Sequence, residues 1–509
     1  MMDSKRKNLQ FVGISALIGI LTGVVISAFR FLIEKGIEWS LTGYAMINHH
    51  LIFLWLIIPL FIGLGIIVGL LMRGNPNIRG SGIPQVEAQL AGNLEMNWFS
   101  VLWRKFVAGV LTDGTGVFMG REGPSIQLGG AVGQGVAQGF KQHGSDRRLL
   151  IATGAAAGLS ATFSAPLAGT FFVMEGIYRN FQPTVWLSAL TGAVTANFVS
   201  LNVFGLTPVL PIFYKQVFQP MDYWKLLPFG LVLGVLGYFY NRGLLDFPLW
   251  YAKIRLIPWY FYCLIPILLV IPIGMYFPAS VGGGSKLIMM VSTHSYPLQL
   301  IVFYLLLRIG FGLISYGAGL PGGFFMPILA VGALIGAAFG TGMHQIGLLD
   351  SVYLNNFIVF GMAGYFTAVS KAPFTSIILI TELVGSTHNF MSLAIVVLIA
   401  YLSSDWLGSQ PIYQALSERL TRVKRYLDSH EPTDLVKMPV YEYSQLANEF
   451  VKNVKWPGES ILITIKRGNL TIIPRGKTKI KPGDVLYVLA HKNNVGYLTK
   501  KLKELTTSY

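Results

Sequence analysis

Three uncharged apolar runs set the terms for this chain: Ile52–Met72, Leu226–Tyr240 and Met391–Leu402 contain no acidic or basic residue. The first alone is long enough to cross about 30 Å of hydrocarbon as a helix. With 53% hydrophobic and 12% charged residues over 509 positions, the chain is too apolar for a soluble globular protein. A polytopic, all-α membrane protein is predicted. Several other apolar segments are short and interrupted by Gly and Pro, which predicts broken or re-entrant helices. Such backbone is tolerated in a bilayer only where protein buries it or where it lines a wet cavity.

A repeat narrows the architecture further. Gly154 to Pro166, leading to Glu175, is matched about 205 residues on by Ala363 to Pro373, leading to Glu382. Each copy carries an Ala-Gly, a Ser shortly before an Ala-Pro, and a glutamate nine residues after that proline. Upstream of each lies a Gly-x-x-x-Pro, at Gly120–Pro124 and at Gly323–Pro327. Duplicated, Gly/Pro-interrupted segments at matching positions point to a transport site where two halves meet. The halves are predicted at residues 11–220 and 221–425. Inversion is the commoner way to build two access sides from one repeat, although the sequence does not display it directly.

Within this frame, Gly120-Arg121-Glu122-Gly123-Pro124 places an acid and a base between glycines and opens a helix. Helix N-termini attract anions through free N–H groups and the macrodipole. Glu122 is therefore an anion located where an anion would bind. It is predicted to act as a tethered plug that yields to a permeating anion when protonated. Gly80-Ser81-Gly82-Ile83-Pro84 opens another helix with Ser81 near its N-cap, readable as an ordinary capped start or as a ligand contact. Gly322-Gly323-Phe324-Phe325-Met326-Pro327 leaves the amides of Phe324 and Phe325 free for an anion; their rings suit a constriction, or else lipid or core. Tyr413 starts a last helix, where its hydroxyl could donate to chloride; a tyrosine there equally fits a membrane interface. Lys105, alone in apolar surroundings, is expected to orient backbone or a carboxylate. Gly133, Gly135 and Gly139 allow close helix approach.

The net charge of +16 is carried by basic residues beside hydrophobic segments, which fits the positive-inside rule and argues against nucleic acid. Residues 1–10 read as a basic tail, and Lys5, Arg6 and Lys7 at one end with Arg419, Arg422, Lys424 and Arg425 at the other predict cytoplasmic termini. Residues 11–72 read as two helices separated by the polar stretch Glu34–His50, with His49-His50 in a loop. The first apolar run reads as a retained helix, since no small-residue cleavage pattern follows it. One cysteine, Cys263, excludes an internal disulfide. Neither a phosphate loop nor a zinc-spaced His/Cys cluster is present, so no cofactor, metal or ATP-driven pump is predicted. An intramembrane hydrolase using Glu122 or Glu175, and a sensor whose membrane part only anchors the tail, remain as other classes.

Residues 431–509 are polar, with strand-like runs at Ser460–Lys466, Leu470–Pro474 and Asp484–Ala490 and a closing helix from about Asn494. They predict a small α+β cytoplasmic domain that dimerises or binds a small-molecule regulator.

Taken together, GSGIP at 80–84, GREGP at 120–124, GGFFMP at 322–327 and QPIY at 410–413 resemble the CLC family of chloride channels and proton/chloride exchangers. The resemblance covers about residues 10–425. It implies a homodimer in which each subunit holds its own pore, built from two inverted halves. Ser81 and Tyr413 would then contact the central chloride, the amides of Phe324 and Phe325 would complete that site, and Glu122 would be the external gate. Gly80, Gly82, Pro84, Arg121, Gly123, Pro124, Gly323 and Pro327 would support the anion path. Ser81 stands where fluoride exporters of the family carry methionine, which favours chloride. Many family exchangers have two consecutive glutamates where this chain has Glu175-Gly176, so Gly176 occupies the internal proton-acceptor position. The resemblance thus implies proton-coupled exchange, with protons delivered by water or by Glu175, and leaves a passive channel as the alternative. The tail resembles the TrkA-C, or RCK-C, domain of potassium-transport regulators, which implies a prokaryotic plasma-membrane protein.

Overall fold

The structure, a computed structural model, describes residues 2–254, 256–428, 433–442, 444–457, 460–468, 470–491 and 495–506. It divides into two units, Met1–Thr421 and Arg422–Tyr509.

The first unit is helical. Its leading half contains α1 (Met2–His49), α2 (Leu54–Gly74), α3 (Ile83–Leu90), α4 (Trp98–Gly114), α5 (Glu122–Gly139), α6 (Gly144–Phe163), α7 (Pro166–Phe171) and α8 (Pro183–Phe204). Then follow α9 (Leu226–Tyr251), α10 (Leu264–Tyr276), α11 (Ser285–Thr293), α12 (Leu298–Gly317) and α13 (Phe325–Gln345). The unit closes with α14 (Leu354–Ser370), α15 (Pro373–Val384), α16 (Phe390–Trp406) and α17 (Ile412–Asp428).

One expectation fails at the start. The polar stretch Glu34–His50 does not separate two helices, because α1 runs through it to His49 and the chain breaks only at His50. Glu34, Lys35 and Glu38 are good helix formers, and the pairs Arg30–Glu34 and Lys35–Glu38 at helical spacing support the turn where polarity alone suggested a loop. The first ten residues likewise belong to this helix from Met2 onward. Its apolar part, Leu9–His49, is about 60 Å long, twice the hydrocarbon thickness, so it crosses at a tilt or projects beyond the membrane.

Among the described residues, seven helices are long and apolar enough to span a membrane. α2 is mostly exposed, with Trp55, Leu56 and Leu60 on its apolar open face. α5, α6, α13 and α14 are instead enclosed by protein, which is why Gly- and Ala-rich sequence suffices there. Their backbones touch. A Cβ placed on Gly154 would lie 2.1 Å from the carbonyl oxygen of Gly129, and one on Gly133 2.2 Å from that of Leu150. The second half repeats this contact, with Gly361 against Gly332 at 2.2 Å and Gly336 against Phe357 at 2.0 Å. Of the glycines singled out in the sequence, Gly133 makes such an approach and Gly135 abuts the Trp98 ring, while Gly139 faces open space.

Two buried cations hold the loops before the short helices. Lys105 on α4 donates to the carbonyls of Ile78 (2.9 Å) and Gly80 (2.6 Å), ahead of α3. Arg308 on α12 donates to those of Ser280 (2.8 Å) and Gly282 (2.7 Å), ahead of α11. Both short helices begin at a left-handed glycine, Gly82 and Gly284. Lys105 thus orients backbone, one of its two expected roles. A lysine matched to an arginine hid this part of the repeat from the sequence.

The second unit is a four-stranded antiparallel sheet in the order β1 (Thr433–Pro439), β4 (Val485–His491), β2 (Ser460–Arg467), β3 (Leu470–Ile472). α18 (Val495–Thr506) packs against β1 and β4. Val436, Leu462, Ile465, Leu486, Val488 and Leu502 are among its core residues. The three expected strands are present; β1 was missed because only Val436 and Met438 mark its inner face. The expected starting points at residue 431 and Asn494 lie outside the described residues.

Asp484 begins the turn into β4, its side chain fully buried, accepting two bonds from Arg467 (2.8 Å each) and one from the Lys481 N–H (2.8 Å). Burial alone would raise its pKa, but the guanidinium and the amide outweigh it and hold the carboxyl below its ordinary value. A depressed folded-state value stabilises at pH above the unfolded pKa of about 3.9 and is lost as pH falls through the folded one. Asp484→Asn should therefore cost this unit about 2 kcal/mol at neutral pH. It should also flatten the loss of stability below about pH 4, read by denaturant melts of the full chain followed at Trp456.

Candidate functional site

Two glycine loops meet at the centre of the helical unit. Gly120 and Gly323 exchange backbone hydrogen bonds, N–H to O at 2.7 Å in each direction, as a two-residue antiparallel bridge. Side chains would prevent it, since a Cβ on Gly323 would lie 2.9 Å from the Gly123 nitrogen and one on Gly123 2.4 Å from Ser81 Oγ. The bridge draws together the N-termini of α3, α5 and α13. Pro84, Pro124 and Pro327 sit in the first turns of these helices, where a missing N–H is harmless.

Ser81 does not cap α3. The N-cap is Gly82, at φ 90° with no side-chain bond, and the Ser81 hydroxyl is buried without a hydrogen-bond partner. Tyr413, second residue of α17, is not interfacial: it is 2% exposed, and its hydroxyl too is buried and unpartnered. Its ring stacks on Phe324 at 5.3 Å and meets Phe172 edge-on at 5.7 Å. Phe325 packs among Phe163, Phe172 and Phe366, so neither phenylalanine faces lipid. Buried polar groups are normally satisfied, and hydroxyls left over beside three helix N-termini suit a dehydrated anion. Lys105 donates to two loop carbonyls, and Arg308 donates to two others through Nη1 while its Nε and Nη2 are buried without a hydrogen-bond partner.

Glu122 is the first residue of α5 and 3% exposed. Its carboxylate folds back over Gly120, where a Cβ would come within 2.2 Å of Oε2. It faces the backbone N–H of Met326 in the first turn of α13, while Oε2 keeps no partner. The side chain thus presents an anion to an N-terminus of the opposite half. Beside it lies a cavity of about 630 Å³ lined by Glu122, Asp113, Arg121, Arg30, Glu34 and Lys286, among others. Arg121 binds Glu34 on α1 at 2.7 Å, at the rim of this cavity.

On the other side, Gly176 belongs to a π-helical turn, Phe172–Ile177, of a kind frequent at functional sites. It lines a smaller cavity, about 150 Å³, with Glu175, Arg179, Lys371 and Asp405. Glu175 accepts from the Phe374 N–H (3.1 Å) and from the Thr375 N–H and hydroxyl (2.7 Å each), capping α15. Its repeat partner Glu382 accepts from the N–H groups of Leu167 (3.1 Å) and Ala168 (2.7 Å), capping α7. Each half supplies the acid that satisfies the first free amides of the other. The sequence showed two equivalent glutamates but not that they cross over.

Among the described residues, Asp113, Lys225 and Arg308 are buried charged residues that escaped the sequence reading, as did the pairing of Glu87 with Arg179 at 3.3 Å. Asp113 and Arg308 could have been found as lone ionisable residues inside apolar segments, which mark function by default.

The family model for voltage gated chloride channels matches residues 63–405, and that for the TrkA-C domain matches residues 435–503. The chain is 30% identical over 438 residues to the H(+)/Cl(-) exchange transporter ClcA of Salmonella typhimurium, covering 82% of this chain and 90% of that one. It is 32% identical over 419 residues to ClcA of Klebsiella pneumoniae, covering 80% and 88%. Among solved structures, a slow cyanobacterial Cl-/H+ antiporter superposes with a TM-score of 0.75 at 29% identity, covering 81% and 98%. A CLC-type fluoride/proton antiporter shares the fold, with a TM-score of 0.62 at 22% identity, covering 80% and 98%. The chain belongs to the voltage gated chloride channel, or CLC, family, and carries a TrkA-C domain after the membrane unit.

Proposed function

We propose that this protein exchanges chloride for protons across the plasma membrane, with Glu122 as both gate and outer proton carrier. The observation that carries this reading is the Glu122 carboxylate, set over the Gly120–Gly323 bridge between the outer cavity and the pocket of free amides and hydroxyls. Ionised, it competes with chloride for the helix N-termini; protonated, it loses the charge that held it there. Ser81, Tyr413 and the amides of Phe324 and Phe325 hold the central chloride, supported by Gly80, Gly82, Pro84, Gly123, Pro124, Gly323 and Pro327. Each helix terminus contributes only about 0.3–2 kcal/mol, so the ion is dehydrated without being trapped.

The relatives described as exchange transporters favour coupled exchange over a passive channel. With no acid at position 176, protons reach Glu122 from inside through water in the cavity beside Gly176, and Glu175 shapes that cavity as a helix cap. The two halves, residues 11–220 and 221–425, are inverted in the membrane, both termini are cytoplasmic, and the protein is a homodimer. The domain over residues 431–509 carries a regulatory small-molecule site.

The test is the reversal potential of purified protein in liposomes under opposed chloride and pH gradients. Exchange displaces it from the chloride equilibrium potential; a value at that potential overturns exchange in favour of a channel, and absence of any flux removes both.

A further inference from the structure

The outer cavity contains a second carboxyl that the gate reading leaves unused. Asp113 is 2% exposed, and both of its oxygens are buried without a hydrogen-bond partner. It lies at the C-terminal end of α4, so no free helix amide is available to it, and the helix dipole there disfavours added negative charge. A carboxylate placed for structure would be expected to bind something; this one lines the same cavity as Glu122. Each acid lies against one strand of the glycine bridge. Glu122 Oε2 covers Gly120, and Asp113 Oδ1 lies where a Cβ on Gly322, next to Gly323, would come within 2.7 Å.

We propose that Asp113 is a second proton-exchanging carboxyl, sharing a proton with Glu122 and so setting the external pH at which the gate becomes neutral. The inference rests on reading Glu122 as the protonated gate. Two carboxyls sharing one site do not both ionise cheaply, and their protons belong to the pair. A proton from cavity water forms an O–H on Asp113; that bond breaks as Asp113 returns the proton to a water in the shared cavity, which gives one of its own protons to Glu122, and the Asp113 carboxylate takes the next proton from the cavity. No other reactant is needed.

The surrounding charges are common to every variant that would be compared. Lys105 lies on α4 itself, Arg30, Glu34 and Glu38 come from α1, Arg121 from α5, Lys286 from α11, and Arg308 from α12 acts on Glu122. α2, which also packs on α4, adds no charged residue to the cavity.

The experiment measures chloride flux against external pH for the full-length protein in liposomes, comparing wild type, Asp113→Asn and Asp113→Glu. Removing the charge of Asp113 should move the half-maximal pH to more acid values by about half a unit, a roughly threefold higher proton concentration, and Asp113→Glu should restore it. An Asn profile that coincides with wild type, or moves to alkaline pH, overturns the proposal. Should Asp113→Asn not assemble, pH-difference infrared spectra of wild type and Asp113→Glu decide: a titrating carboxyl C=O band that shifts in the Glu variant supports the pair, and identical spectra overturn it. Wild-type flux without pH dependence would instead defeat the gate reading, an outcome separable from any effect of Asp113.

Discussion

Glu122→Gln should carry chloride at a rate independent of pH while proton transport falls by about 100-fold or more, the scale on which a positioned acid contributes to proton transfer. The amide keeps the size of the side chain and removes its charge and exchangeable proton. Nothing then competes ionically for the Met326 amide, so the charge that the proposed gate holds there at high pH is gone. Parallel chloride and pH electrodes on one vesicle suspension read both fluxes. A Gln variant that retains the wild-type pH profile would mean that the gating proton resides elsewhere.

The second large effect concerns the packing of α6 against α5. Gly154→Val should destabilise the helical unit by about 3 kcal/mol or more, because the new side chain meets the carbonyl of Gly129 at 2.1 Å and backbone cannot rotate away as a side chain can. Gly332→Val should behave alike, since its Cβ would lie 2.4 Å from the Gly361 carbonyl oxygen. Gly139→Val, with nothing within 4 Å, is the control and should melt as wild type does. Thermal unfolding in detergent followed by size-exclusion chromatography checks all three. Equal melting of the Gly154 and Gly139 variants would show that α5 and α6 do not depend on backbone contact.

In the proposed function these effects arise because the protein solves an anion-binding problem with backbone. A lysine or arginine beside the halide would hold it too firmly for transport. The two cations nearest the loops, Lys105 and Arg308, instead fix the backbone that presents the amides. The crossed caps Glu175–Thr375 and Glu382–Ala168 tie the halves to each other in the same way, with charge spent on helix termini and kept from the ion path.

The membrane class, the duplication, the glycine- and proline-marked helix starts at Ser81, Glu122 and Phe324, and three of the tail's four strands were legible in the sequence. Each depends on properties local to the chain: hydropathy over a window, or glycine and proline at a helix start. What the sequence did not contain was which surfaces meet. The continuity of α1 through Glu34–Ile47 depends on side-chain pairs that override a polarity signal. The exclusion of Tyr413 from the interface, the crossing of Glu175 and Glu382 between halves, and the arrival of Asp113 beside the gate depend on contacts between segments far apart in the chain. Only the tertiary structure decides those, because burial and partnering belong to pairs of segments brought together in space, and no window along one segment records its neighbour.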